Sequence, residues 1–132
     1  MATMRIFLSY DSKDGKSAKE FTRRLSAVGF EIWDSAQELL PGDNWALKVG
    51  KALEESDAMI VLLSPESVKS QWVRREIEYA VGSRKYEGRL IPVMVRPTSN
   101  IPWVLRQFHV VRADKERDEA TKQIVHQLRA AS

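Results

Sequence analysis

Ala58-Met59-Ile60-Val61-Leu62-Leu63-Ser64 is apolar almost from end to end. A strand with one wet face would alternate; an unbroken apolar run of this length is expected where helices cover both faces of a sheet. On either side of it the chain keeps the same grammar. Arg5–Ser9, Phe30–Trp33, Leu90–Val95 and Phe108–Val111 are further short runs rich in β-branched and aromatic residues, so five strands are predicted in all. Between them lie segments of helical period. Ala18, Phe21, Leu25 and Val28 form the first stripe, with Asp14 as the cap and Gly29 as the stop. Trp45, Val49, Ala52 and Leu53 form the second, after the turn Pro41-Gly42-Asp43, and Val73, Ile77, Ala80 and Val81 the third. Ala120, Ile124 and Leu128 mark a last helix within Asp114–Ala130, while Pro97 and Pro102 exclude a long helix before it. Alternating strands and helices predict an α/β fold with a parallel sheet covered on both faces.

Composition narrows the function. The 132 residues suit one domain over 1–132, with a core of about residues 4–128. Lys+Arg exceed Asp+Glu by 21 − 18 = 3, and the charges are spread rather than blocked, which argues against a nucleic-acid partner. Cysteine is absent, removing disulfides, thiol catalysis and thiolate metal sites, and two scattered histidines, His109 and His126, argue against a metal centre. No apolar run approaches a membrane span, and Met1-Ala2-Thr3-Met4 leads straight into a strand-like segment. The expectation is an intracellular, cytoplasmic chain with no membrane partner, standing alone or as one module of a longer protein.

In parallel α/β folds ligands bind beyond the carboxyl ends of the strands, near the point where strand order reverses. Ser9-Tyr10-Asp11, Trp33-Asp34, Ser64 and Val95-Arg96 all fall at such ends. Two familiar occupants of that edge fail. Gly15-Lys16-Ser17 stands where a P-loop would close, but the glycine required five positions earlier is Tyr10, and no G-x-G-x-x-G is present. A phosphoryl-accepting receiver would need an aspartate ending the third strand, where this chain has Ser64-Pro65; Asp57 is at the wrong end, and no lysine directly follows Val111.

Ser70-Gln71-Trp72-Val73-Arg74-Arg75-Glu76 opens the helix after the apolar strand. Trp72 and Glu76 are four apart and share one side of that helix, bringing a flat aromatic surface and one carboxylate to the sheet's mouth. Relative to the centre of the Val73–Val81 stripe, Glu76 lies roughly 85° away and its rival Glu78 roughly 115°, at 100° per residue. Glu76 is thus the better placed, against the plain alternative of a surface ion pair with Arg74 or Arg75. Trp72 either walls a pocket or anchors the helix start. Trp33 is a strand core residue or a pocket wall, and Asp34 orients the following loop or meets the ligand. Ser9 and Tyr10 stand where a ribose or phosphate would lie, unless Ser9 merely ends the strand. Trp45 is expected in the core and Trp103 packed against the irregular loop. The amides opening the first helix, beside Lys13 and Lys16, either hold a pyrophosphate or form a solvated basic loop.

Three segments in order carry a family resemblance: Phe7-Leu8-Ser9-Tyr10-Asp11-Ser12-Lys13-Asp14; Ile32-Trp33-Asp34 with Leu39-Leu40-Pro41-Gly42-Asp43-Asn44-Trp45; and Ser64-Pro65-Glu66-Ser67 with Ser70-Gln71-Trp72 and Glu76. From Met4 to about Leu128 the chain resembles a Toll/interleukin-1 receptor (TIR) domain, most closely the bacterial kind. The resemblance implies a flavodoxin-like sheet of order 2-1-3-4-5. It also implies an NAD+ nucleosidase, cleaving the nicotinamide–ribose bond with or without cyclisation, in bacterial defence signalling or virulence. NAD+ is then the substrate, no separate cofactor is implied, and Glu76 takes the family's catalytic glutamate position. Ser9, Tyr10, Trp33, Asp34 and Trp72 would line the substrate site. Leu39, Leu40, Pro41, Gly42 and Asp43 would form a loop for assembly with other TIR domains, and such enzymes often complete their site across an assembled interface. Asp34–Gly42 is one residue longer than the commoner bacterial pattern, so Ser35, Ala36, Gln37 and Glu38 receive no role. The alternative function is a non-catalytic TIR–TIR assembly module acting through that loop.

The chemistry fits the residues on its own terms. Nicotinamide is a cationic leaving group and needs no acid. The transition state resembles an oxocarbenium ion, as in glycoside cleavage, so one carboxylate can supply much of the stabilisation.

Overall fold

The computed structural model describes residues 3–34 and 44–131. The assembly loop 39–43, Ser35–Glu38 and the side chain of Trp45 lie outside the described residues. Strands β1 (Arg5–Ser9), β2 (Glu31–Asp34), β3 (Ala58–Leu63), β4 (Leu90–Met94) and β5 (Val111–Arg112) form one sheet of order β2-β1-β3-β4-β5. Every pairing is parallel; Ile6 stands opposite both Ile32 and Ala58, and Met59 opposite Leu90. Among the described residues the connecting helices are α1 (Gly15–Ala27), α2 (Trp45–Glu55), α3 (Gln71–Val81) and α4 (Arg117–Ala130).

The pleat divides β3 between two cores, as its unbroken apolar run requires. Ile60 and Leu62 join Ile6, Leu8, Phe21, Leu25, Ile124 and Leu128 under α1 and α4. Met59, Val61 and Leu63 join Phe7, Val49, Leu53, Val73, Ile77 and the buried Tyr86 under α2 and α3. All six residues of β3 are buried.

Helix ends follow local chemistry. Ser70 accepts the Val73 amide at 3.3 Å to start α3, and Asn44 accepts the Leu47 amide to start α2. Gly29, at φ 102°, closes α1: its amide reaches the Ser26 carbonyl and that of Phe30 reaches Leu25, the paired bonds of a Schellman stop. Alanine at Gly29 meets no steric neighbour but must adopt a left-handed backbone. Gly29→Ala is expected to lower stability by about 1–2 kcal/mol in urea unfolding, with the far-ultraviolet spectrum unchanged.

Several expectations need correction. Asp14 does not cap α1 through its side chain; Asp11 accepts the Lys13 amide, and the Asp14 carboxylate turns inward. The fifth strand is only Val111–Arg112, paired with Val93 and Met94, and begins three residues after the expected Phe108. Strands two, three and four each shift or shorten by one residue against the sequence pattern, and α4 begins at Arg117 rather than Asp114. Val81 is 39 % exposed, and the buried stripe of α3 is Val73, Glu76, Ile77 and Ala80. Trp103 is 78 % exposed instead of packed against its loop. Among the described residues no helix is long and apolar enough to cross a membrane, and no group of His, Asp and Glu is placed to hold a metal.

Candidate active site

Ser9 ends β1 on the same sheet face as Phe7, and that face looks toward α3. One turn into α3, Glu76 turns onto the same face and is 2 % exposed. The two side chains meet: Ser9 Oγ donates to Glu76 Oε1 at 2.6 Å across 67 residues of sequence. Glu76 Oε2 is buried and has no hydrogen-bond partner among the described residues. Burial pushes the Glu76 carboxyl up to about 7, and the Ser9 hydroxyl restrains the rise. A buried acceptor with an unused oxygen is uncommon in a settled core, where nearly every such atom is paired. Arg74, Arg75 and Glu78 are exposed, and Glu76 forms no ion pair among the described residues, so the surface ion-pair alternative fails.

The remaining candidates lie at the same carboxyl edge but on both faces of the sheet: Trp33 packs on the face of Ser9 and Glu76, while Tyr10 packs against the opposite core, under α1 and α4. Trp33 is half-buried, its ring stacked on Phe7 with centroids 5.0 Å apart and planes 17° from parallel. It therefore packs at the rim of the α3-side core. Tyr10 donates its hydroxyl to Asp34 Oδ1 at 2.5 Å, tying the end of β1 to the end of β2. Burial, and then the Asp34 carboxylate, hold the Tyr10 hydroxyl protonated well above its usual range. Asp34, the last residue of β2, is itself buried. Trp72, at the start of α3, is 37 % exposed.

A second cluster was only half visible in the sequence. Ser64, directly after β3, donates to Asp14 Oδ2 at 2.5 Å, and Arg96, just after β4, bonds Asp14 Oδ1 at 2.9 Å and Glu66 Oε2 at 2.7 Å. This network clamps the start of α1 to the ends of β3 and β4. Its signal in the chain was a polar residue directly after successive strands, beside an acid opening a helix. Lys13 and Lys16 border a cleft of about 590 Å³ with Arg96 and Arg117, but Asp14 and Glu20 line it too, so its charge is mixed.

A five-stranded parallel sheet of order 2-1-3-4-5 with helices on both faces defines a flavodoxin-like fold. The chain belongs to the TIR domain family, whose family model matches residues 6–129. It is 22 % identical over 125 residues to a probable 2' cyclic ADP-D-ribose synthase of Methanobrevibacter olleyae, covering 93 % of this chain and 37 % of that protein. It is 29 % identical over 98 residues to a 2' cyclic ADP-D-ribose synthase of Bacteroides thetaiotaomicron, covering 72 % of this chain and 34 % of that one. The chain therefore spans about a third of the length of these relatives. Among solved structures it is similar to the TIR domain of a Toll-related receptor from Hydra magnipapillata, with TM-score 0.77, 18 % identity, and 92 % and 94 % of the two chains covered. It is also similar to a TIR-STING receptor from C. gigas, with TM-score 0.79, 25 % identity, and 93 % and 38 % covered.

Proposed function

We propose that this domain is an NAD+ nucleosidase, and that Glu76 is its catalytic residue. The observation that carries the proposal is a buried glutamate at the carboxyl edge of a parallel sheet whose Oε2 has no hydrogen-bond partner among the described residues. Support comes also from the names of the two relatives, both cyclic ADP-D-ribose synthases. Nicotinamide leaves with the electron pair of its bond to ribose, and positive charge builds on the ribose C1′ and ring oxygen. The Glu76 carboxylate stabilises that charge and accepts hydrogen bonds from ribose hydroxyls. Water then adds to C1′ and loses a proton, giving ADP-ribose; alternatively a nucleophile of the same molecule adds, giving a cyclic isomer. Trp72, one turn before Glu76 on the same helix, is the proposed aromatic wall for the nicotinamide. Other TIR domains, engaged through residues 39–43, are the proposed partners, and a bacterial cytoplasmic defence or virulence pathway the proposed setting.

The test is nicotinamide release from NAD+ by wild type and Glu76→Ala, at dilute and at high protein concentration, with products separated by chromatography. Release by the wild type and a fall of on the order of 100-fold or more in Glu76→Ala are expected. The chromatogram separates hydrolysis from cyclisation. A folded wild type silent at both concentrations overturns the enzymatic assignment in favour of an assembly module, for which Leu40→Glu should dissociate oligomers.

A further inference from the structure

We propose that Ser9 is a positioning residue for Glu76, its hydroxyl holding one carboxylate oxygen so that the other is left for the substrate. The proposal rests on the NAD+-cleaving function above. A serine hydroxyl has one proton to give, and here Ser9 gives it to Glu76 Oε1 at 2.6 Å. While that bond stands, Ser9 has no proton to give a ribose or phosphate oxygen and can meet a ligand only as an acceptor. Both side chains are almost fully buried, and the glutamate has several staggered rotamers open to it along α3. A short bond from the fixed end of a central strand selects among them. That same bond favours the charged carboxylate, the form able to stabilise an oxocarbenium ion, against the burial that opposes it.

The other acids at the sheet's carboxyl edge have their own partners. Asp14 is bound by Ser64 and Arg96, and Asp34 accepts the Tyr10 hydroxyl. Asp11 accepts the Lys13 amide, and on Glu76's own helix Arg74, Arg75 and Glu78 point to solvent. Among the described residues, burial and Ser9 are what move the Glu76 carboxyl. Removing a hydrogen bond to a buried charge has a typical cost that moves a titration by about one pH unit or more.

Two readouts test this on the intact protein. Carbon NMR of glutamate-labelled protein, with the Glu76 carboxyl assigned by its loss in Glu76→Gln, follows the titration directly. The pH profile of nicotinamide release follows it through catalysis. Ser9→Ala is expected to move the carboxyl midpoint and the acid limb of the rate upward together by about one unit or more. At neutral pH that lowers kcat on the order of tenfold, with KM little changed. Ser9→Thr keeps the hydroxyl and should stay near wild type. Should Ser9→Ala fold poorly, Ser9→Cys, of similar size and a weaker donor, takes its place with a smaller shift in the same direction. A titration unmoved by loss of the hydroxyl overturns the proposal. So does a rate change confined to KM, which would make Ser9 a substrate contact. A wild type that releases no nicotinamide sinks the NAD+ assignment instead, and the carboxyl titration alone then decides whether Ser9 governs Glu76.

Discussion

Replacing Glu76 by glutamine is expected to lower nicotinamide release on the order of 100-fold or more and, in the same molecule, to make the domain harder to unfold at about pH 8. The two effects have one cause. A carboxyl held at about 7 in the folded protein and near 4.3 in an unfolded chain binds its proton more tightly when folded. Stability therefore falls as pH rises through that window, and above it the folded state carries the whole cost of a buried charge. The gap corresponds to roughly 4 kcal/mol, and glutamine should recover about 2 kcal/mol of it, since its amide must itself be partnered. Thermal unfolding would read this as a gain of roughly 6–10 °C at about pH 8, shrinking toward zero near pH 4. A glutamine variant no more stable than wild type at the higher pH, or equally favoured at both, would remove the basis for treating Glu76 as a stressed carboxylate.

The second large effect lies beneath the site. Phe7 is fully buried on β1, two residues before Ser9 on the same face, and carries the stacked ring of Trp33. Phe7→Ala should cost about 4 kcal/mol, from lost burial plus the cavity left behind. That is roughly 12–20 °C in midpoint for a domain of this size. The surviving folded fraction should also release nicotinamide more slowly, because the end of β1 that presents Ser9 is no longer wedged in place. Trp103→Ser is the control: a larger aromatic is removed, but from a site 78 % exposed, and the change should stay within about 0.5 kcal/mol. A Phe7→Ala loss below about 1 kcal/mol would show that the core refills around the missing ring.

The contrast between Phe7 and Trp103 marks how far the sequence could be read. The β3 run gave away a sheet covered on both faces, because apolar side chains at consecutive positions need apolar partners above and below. The helical stripes were legible for the same reason, and Ile124 and Leu128 are buried as the period demands. Helical periodicity failed at Val81 and Glu76, which exchange places: an apolar residue at the last turn of α3 faces solvent, and a carboxylate takes the buried position. A period counts apolar residues and cannot see a polar one buried with a single partner supplied by another strand. Ser9 and Glu76 were each legible as candidates; their bond was not, since nothing in either neighbourhood encodes contact across 67 residues. Likewise Asp14 looked like a helix cap from its local setting, and its real partners, Ser64 and Arg96, come from just beyond the ends of β3 and β4.

That long span also has a consequence for the chain as it is made. Synthesis delivers Ser9 early and Glu76 only after β2, α2 and β3, so more than half the domain must leave the ribosome before donor and acceptor coexist. Until α3 docks, the carboxylate is an ordinary solvated glutamate, without the desolvation that burial imposes on it. Any reactivity owed to that burial thus switches on only when α3 docks, and a nascent chain that ends before α3 carries none of it.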